Sequence, residues 1–215
     1  MIKAVIFDLD GTTVDSRSAW TESFKQAARK FGFDYSEDLD RLTRGVGVIK
    51  SAANLTVHFG VPEKKKEFLI LAEENYKNLF FQKVTLMPGA LELLSRIAPQ
   101  FKLALASSSP RFVLTANFAK FPKLKEYFKV SVAGDEVART KPSPDIFLLA
   151  ARRLKVDPEN CLVIEDSPTG VQAAKAAGMK CIGLLDPGPK KQAIEAADKQ
   201  VDSLNQISDK LIAQL

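Results

Sequence analysis

Two aspartates, Asp8 and Asp10, stand one residue apart in "AVIFDLDGTTVDS", directly after a run of β-branched and aromatic residues. Two like charges at the end of a buried segment repel and raise one another's pKa. A divalent cation among them reverses that sign. Two further apolar runs end in the same manner: "LALAS" delivers Ser107, with Ser108 after it, and "LVIED" delivers Glu165 and Asp166. If these runs are neighbouring strands of one parallel sheet, their ends meet where such sheets bind ligands. The donors are all oxygen, with no His or Cys nearby, which points to Mg²⁺ rather than zinc. A carboxylate can also attack phosphorus. Phosphoryl transfer needs charge neutralisation and a proton for the leaving oxygen. Lys141, in "TKPSPD", adds a positive charge, Ser107 a hydrogen bond, one aspartate the attack and the other the proton. Taken singly each piece has a plainer reading: a turn, a surface lysine, a polar loop, a helix cap. Their joint order along the chain is what argues for chemistry.

Such a site requires strands to hold it. "FKLALAS" (101–107), "VSVAG" (130–134), "CLVIED" (161–166) and "KCIGLLD" (180–186) are short apolar runs. Between them "RFVLTANFAKF", "SPDIFLLAARRLKV" and "SPTGVQAAKAAG" have helical spacing, with Ser143 and Pro144 opening the second and Gly178 stopping the third. Continuous apolar strands alternating with helices predict a parallel sheet covered on both faces, an α/β fold closed by "KCIGLLD". Residues 17–84 differ. "SAWTESFKQAARKFG" and "PEKKKEFLILAEENYKNLFFQ" repeat their apolar residues at three and four, and no strand stands out. The expected organisation is a core of residues 1–16 and 85–215 with a helical domain, 17–84, inserted after the first strand.

The 215 residues suffice for one α/β domain and a small appendage, and 46% hydrophobic with 27% charged residues is an ordinary globular balance. No stretch matches a membrane span, and "MIKAVIFDLD" turns acidic too soon for a signal peptide, so a cytoplasmic protein is expected. Cys161 and Cys181 lie in apolar runs and read as reduced, buried residues. The net charge of +5 is scattered, apart from "KKK" (64–66) and "KK" (190–191), with no interleaved aromatics. Nucleic acid is therefore not the expected partner, whereas a small anionic metabolite is.

With these motifs in hand, the chain resembles the haloacid dehalogenase superfamily of phosphotransferases. "DLDGTTVDS", "LALASSS", "TKPSPDIF" and "VIEDSPTGVQAAKAAG" match its four motifs in order and separation. The subgroup it is most similar to contains β-phosphoglucomutase and phosphoglycolate phosphatase, built on a Rossmann-like core with a helical cap. The resemblance implies that Asp8 is nucleophile and metal ligand. It makes Asp10 the general acid and base, meeting the metal through its backbone carbonyl. Ser107, Ser108 and Lys141 would hold phosphate, Asp166 with help from Glu165 would complete a Mg²⁺ site, and Thr12 would tolerate variation. The dehalogenases proper lack an acid at the position of Asp10, and the transport ATPases place Thr there, so this carboxylate implies hydrolysis of an aspartyl-phosphate.

The expected activity is thus a Mg²⁺-dependent phosphatase acting on a small phosphorylated metabolite, a sugar phosphate or phosphoglycolate-like compound, as a monomer or weak homodimer. Its alternative is a sugar-phosphate mutase; a non-catalytic binding protein on the same fold would have lost Asp8, Asp10 or Lys141, and all are present. In the mutases the cap supplies a His shortly after the first motif, and Trp20 falls at that place. His58 reads as a surface or packing residue. Lys50 is the nearest match to the cap lysine of phosphonate hydrolases, although a solvated lysine is the simpler reading. Arg44 and Gly45, in "RGVG", and Trp20 are candidate substrate contacts, with cap core the competing role for Trp20. A lid of this kind would restrict substrates to small molecules.

Overall fold

The computed structural model describes residues 1–43, 46–185 and 194–215. Its elements in chain order are β1 (Ala4–Phe7), β2 (Val14–Asp15), α1 (Arg17–Lys30), α2 (Asp40–Thr43), α3 (Val48–His58), α4 (Lys65–Lys83) and β3 (Thr85–Leu86). There follow α5 (Ala90–Ile97), β4 (Lys102–Ala106), α6 (Arg111–Lys120), α7 (Pro122–Tyr127), β5 (Val130–Val132) and α8 (Asp145–Leu154). The chain ends with β6 (Cys161–Glu165), α9 (Pro168–Ala176), β7 (Lys180–Leu184), β8 (Lys199–Val201) and α10 (Asp209–Ala213). It divides into two compact units, Met1–Val14 with Leu86–Leu215, and Asp15–Thr85.

The first unit is built on a parallel sheet of order β5-β4-β1-β6-β7-β8. The chain winds outward from β1 through β4 and β5, then returns to β1's other edge and winds outward again through β6, β7 and β8. Winding therefore reverses at β1, and its C-terminal end faces the crevice that this topology leaves open. Every residue of β1 and β6 is buried, as strands covered on both faces require. One face carries small side chains, Ala4, Ala104 and Ala106, against Ile146, Phe147 and Ala150 of α8. On β1, Phe7 meets Phe128 with ring centroids 5.6 Å apart.

Both faces of the sheet follow from the apolar runs, but its far edge does not. The series runs one strand beyond "KCIGLLD": β8 pairs with β7, in parallel. Its sequence, "KQV", is three residues long with two of them exposed, too short and too polar to register as a period.

The second unit is helical. Ala19, Trp20, Ser23, Phe24, Ala27 and Ala28 form the buried stripe of α1, which packs against the stripe Phe68, Ala72, Tyr76 and Phe80 of α4. The Trp20 ring stacks on Tyr76 at 3.8 Å between centroids, and Phe24 on Phe68 at 6.4 Å. Among the described residues no helix is long and apolar enough to cross a membrane.

Candidate active site

The ends of β4, β1 and β6 lie side by side because Phe7 is in register with both Leu105 and Ile164. One step further the backbone amide of Asp8 still donates to Ile164 O at 3.0 Å, and that of Ser107 to Val132 O at 3.0 Å. Asp8, Ser107 and Glu165 are therefore carried to one crevice by continuation of the strands.

The turn after β1 is tight. Thr13 Oγ1 donates to the Asp8 carbonyl at 2.6 Å, and the amides of Thr13 and Val14 both reach Leu9 O at 2.9 Å. Gly11 takes a φ of +98°, where a side chain is strained. A Cβ built there would also fall 2.7 Å from Asp166 Cγ, with an oxygen closer still. Asp166 thus lies against the backbone of the turn, and Thr12 Oγ1 donates to its Oδ1 at 3.1 Å.

Lys141 arrives from the loop between β5 and α8. Its Nζ donates to Asp8 Oδ1 at 2.5 Å, Glu165 Oε1 at 2.8 Å and Ala106 O at 3.2 Å, three acceptors for three protons. Nζ also lies 4.8 Å from the ring centroid of Phe147. The side chains of Lys141, Asp8 and Glu165 are only 5%, 8% and 1% exposed. Burial alone would discharge Lys141, but Asp8 and Glu165 outweigh it and raise its pKa. Asp8 is pushed up to about 7: burial is the main cause, Lys141 opposes it, and Glu165 and Asp10 add repulsion. One buried ammonium does not balance the three acids Asp8, Glu165 and Asp10.

Asp10 faces the serine loop. Its Oδ2 accepts from Ser109 Oγ at 2.7 Å and from Ser107 Oγ at 3.3 Å. Ser107 Oγ in turn accepts from the Ser109 amide at 3.0 Å. Gly134 N braces the loop from behind by donating to Ser109 O at 2.8 Å. Ser108 Oγ is buried without a hydrogen-bond partner among the described residues.

Glu165, expected to share the metal, has both oxygens occupied within the protein. Besides Lys141 it accepts from Ser167 N at 2.6 Å and Ser167 Oγ at 2.9 Å through Oε2. Ser167 also caps α9 by accepting from Gly170 N at 3.0 Å. A Cβ on Gly170 would collide with the Glu165 carboxylate, which accounts for glycine in the first turn of that helix. Of the remaining candidates, Trp20 is 8% exposed in the stacked interior of the helical unit. Lys50 and His58 are exposed on α3. Arg44 and Gly45, and the pair Lys190 and Lys191, lie outside the described residues. Ser109 does not stand out in the sequence because a hydroxyl in "SSS" looks like loop polarity, and Thr12 does not because the resemblance implies a position that tolerates variation. The signal was their adjacency to the acidic and phosphate-binding motifs.

A model of haloacid dehalogenase-like hydrolases matches residues 2–178. A phosphorylated carbohydrates phosphatase of Thermotoga maritima is 36% identical over 84% of this chain and 84% of its own length. The β-phosphoglucomutase of Bacillus subtilis is 31% identical over 85% and 83%. The crystal structure of a CbbY variant from Rhodobacter sphaeroides with xylulose-1,5-bisphosphate superposes with TM-score 0.83 at 28% identity, covering 97% of each chain. The chain belongs to the haloacid dehalogenase-like hydrolases, in the subgroup typified by β-phosphoglucomutase. It is a phosphoric monoester hydrolase.

Proposed function

We propose that this enzyme is a Mg²⁺-dependent phosphatase of small phosphorylated carbohydrates, with Asp8 as nucleophile. The observation that carries the reading is the bracket around Asp8: Lys141 holds one of its oxygens at 2.5 Å, Glu165 holds Lys141 at 2.8 Å, and Asp10 is held by Ser107 and Ser109. Asp8 attacks phosphorus and the P–O bond to the sugar breaks. Asp10 gives its proton to the departing alkoxide, then takes one from the water that attacks the aspartyl-phosphate. Inorganic phosphate leaves and Asp8 is regenerated. Lys141 and the serine loop hold the phosphoryl oxygens through both halves, and Ser108 Oγ, buried without a partner among the described residues, gains one.

The donor set fits Mg²⁺. Among the described residues no three Asp, Glu, His or Cys side chains gather into a group that could hold a metal ion by themselves. Mg²⁺ does not need one, since it takes one or two carboxylates and leaves its other positions to water and substrate phosphate. Asp8 and Asp166, with the Asp10 carbonyl, are the residues that would hold it, and Glu165 is assigned the orientation of Lys141. When bound, the ion supplies charge neutralisation of the phosphoryl group.

Phosphate release from a panel of sugar phosphates, phosphoglycolate and nucleotides tests the reading. Turnover of the sugar phosphates in Mg²⁺, lost in chelator and not restored by Ca²⁺, is expected; full turnover in chelator would remove the metal from the proposal. A mutase is the second reading, favoured by the identity to B. subtilis β-phosphoglucomutase. Trp20 in place of the mutase histidine speaks against it. Incubation with β-glucose 1-phosphate and a bisphosphate primer separates the two. Glucose 6-phosphate formed without phosphate release would reverse the ranking.

A further inference from the structure

Thr12 was expected to tolerate variation, yet its side chain is fully buried and its hydroxyl donates to Asp166 Oδ1 at 3.1 Å, across 154 positions of sequence. On the same side of the turn, Gly11 lets the Asp166 carboxylate press against the backbone where any Cβ would displace it. The two neighbours thus act on one group: Gly11 makes room for the carboxylate and Thr12 fixes its rotation.

We propose that Thr12 is a positioning residue that orients Asp166 for the cation. The inference deepens the reading of Asp166 as a metal ligand and rests on it. The χ2 torsion of an aspartate is broad and roughly two-fold, so its neighbours decide which way each oxygen faces. The Thr12 hydroxyl gives Oδ1 one preferred direction, and the buried γ-methyl gives the hydroxyl its own rotamer. Thr12 lies in the turn that also carries the Asp10 carbonyl, so one rigid segment presents one ligand and aligns another. Outer partners of this type typically alter metal affinity about 10–100-fold when removed.

Calorimetric titration of the full-length protein with Mg²⁺ alone tests this without reference to turnover. Thr12→Val keeps the volume and removes the donor, so the affinity for Mg²⁺ is expected to fall about 10–100-fold. Thr12→Ser keeps the hydroxyl and is expected to bind close to the native value. Should Thr12→Val fail to fold, Thr12→Ala is read against Thr12→Ser in the same way. Native-like Mg²⁺ affinity in the hydroxyl-free variant overturns the role of Thr12 and leaves the metal reading standing. Absence of Mg²⁺ binding by the native protein overturns both.

Discussion

Lys141 Nζ sits 2.5 Å from Asp8 Oδ1 and 2.8 Å from Glu165 Oε1, with all three side chains almost fully withdrawn from solvent. Removing the cation strands two buried carboxylates. Lys141→Met is therefore expected to abolish phosphatase activity and also to cost about 3–5 kcal/mol of stability. Lys141→Arg should not rescue, because a planar fork cannot converge on Asp8, Glu165 and the Ala106 carbonyl as a rotating ammonium does. Urea denaturation beside an aryl phosphate assay checks both halves. Native stability in Lys141→Met would show that the bracket does not hold the site together.

Asp8→Asn should separate the two effects. Asp8 is raised to about 7 by burial and by crowding from Glu165 and Asp10, so its charge is a burden on the folded state. Lys141 keeps Glu165 and Ala106 as partners when that charge is removed. Loss of the nucleophile is expected to lower kcat at least about 10³-fold, roughly 4 kcal/mol, with stability equal to or above that of the native protein. A thermal melt and a hydrolysis assay on the same preparation decide it. Retained turnover would take Asp8 out of the nucleophile role.

How far the sequence reached is clearest at these residues. Asp8, Ser107 and Glu165 were legible because each ends an uninterrupted apolar run, and parallel strands put such ends together. That the sheet is parallel followed from the alternation of runs and helices, whereas its strand order, with winding that reverses at β1, is seen only in the fold. The partition of labour inside the cluster was not legible. Glu165 and Asp166 are adjacent carboxylates, yet one is occupied by Lys141 and Ser167 while the other lies against Gly11 and Thr12. Only three-dimensional direction separates them. Strand β8 escaped because an edge strand needs neither apolar alternation nor length once its neighbour supplies the ladder.

Stability at acid pH should depend on Asp198. Burial opposes its charge, but Lys175 at 2.7 Å, the Cys181 amide at 2.8 Å and Lys180 outweigh it and hold the carboxyl below the usual range. A folded pKa below the unfolded one means that the native state binds fewer protons. The contribution is then complete above the unfolded value of about 3.9 and is lost as pH falls through the folded value. Asp198→Asn is expected to cost about 1 kcal/mol near neutrality, discounted for the exposure of both lysines. The deficit should shrink once the pH drops below about 3.9. Urea midpoints of both proteins across pH 2–7 test this; a constant deficit would mean that the carboxylate charge is not the source.

Trp20 is the single tryptophan of the chain, so its fluorescence reports on the helical unit alone. Its ring stacks on Tyr76 at 3.8 Å and lies 5.9 Å from Phe24, while its Nε1 has no hydrogen-bond partner among the described residues. If the residue serves packing, only its aromatic surface counts. Trp20→Phe should then keep the stack, cost less than about 1.5 kcal/mol and leave KM unchanged. Trp20→Ala should cost about 3–5 kcal/mol through the cavity it opens. If instead the indole N–H is held for a substrate oxygen, Trp20→Phe would raise KM while the melting temperature barely moves. The burial of the ring within its own helical unit favours the first outcome, because a side chain enclosed by Tyr76 and Phe24 loses contacts by turning away from them. Steady-state kinetics on a hydrolysed sugar phosphate, run beside thermal melts of both variants, separates surface from hydrogen bond.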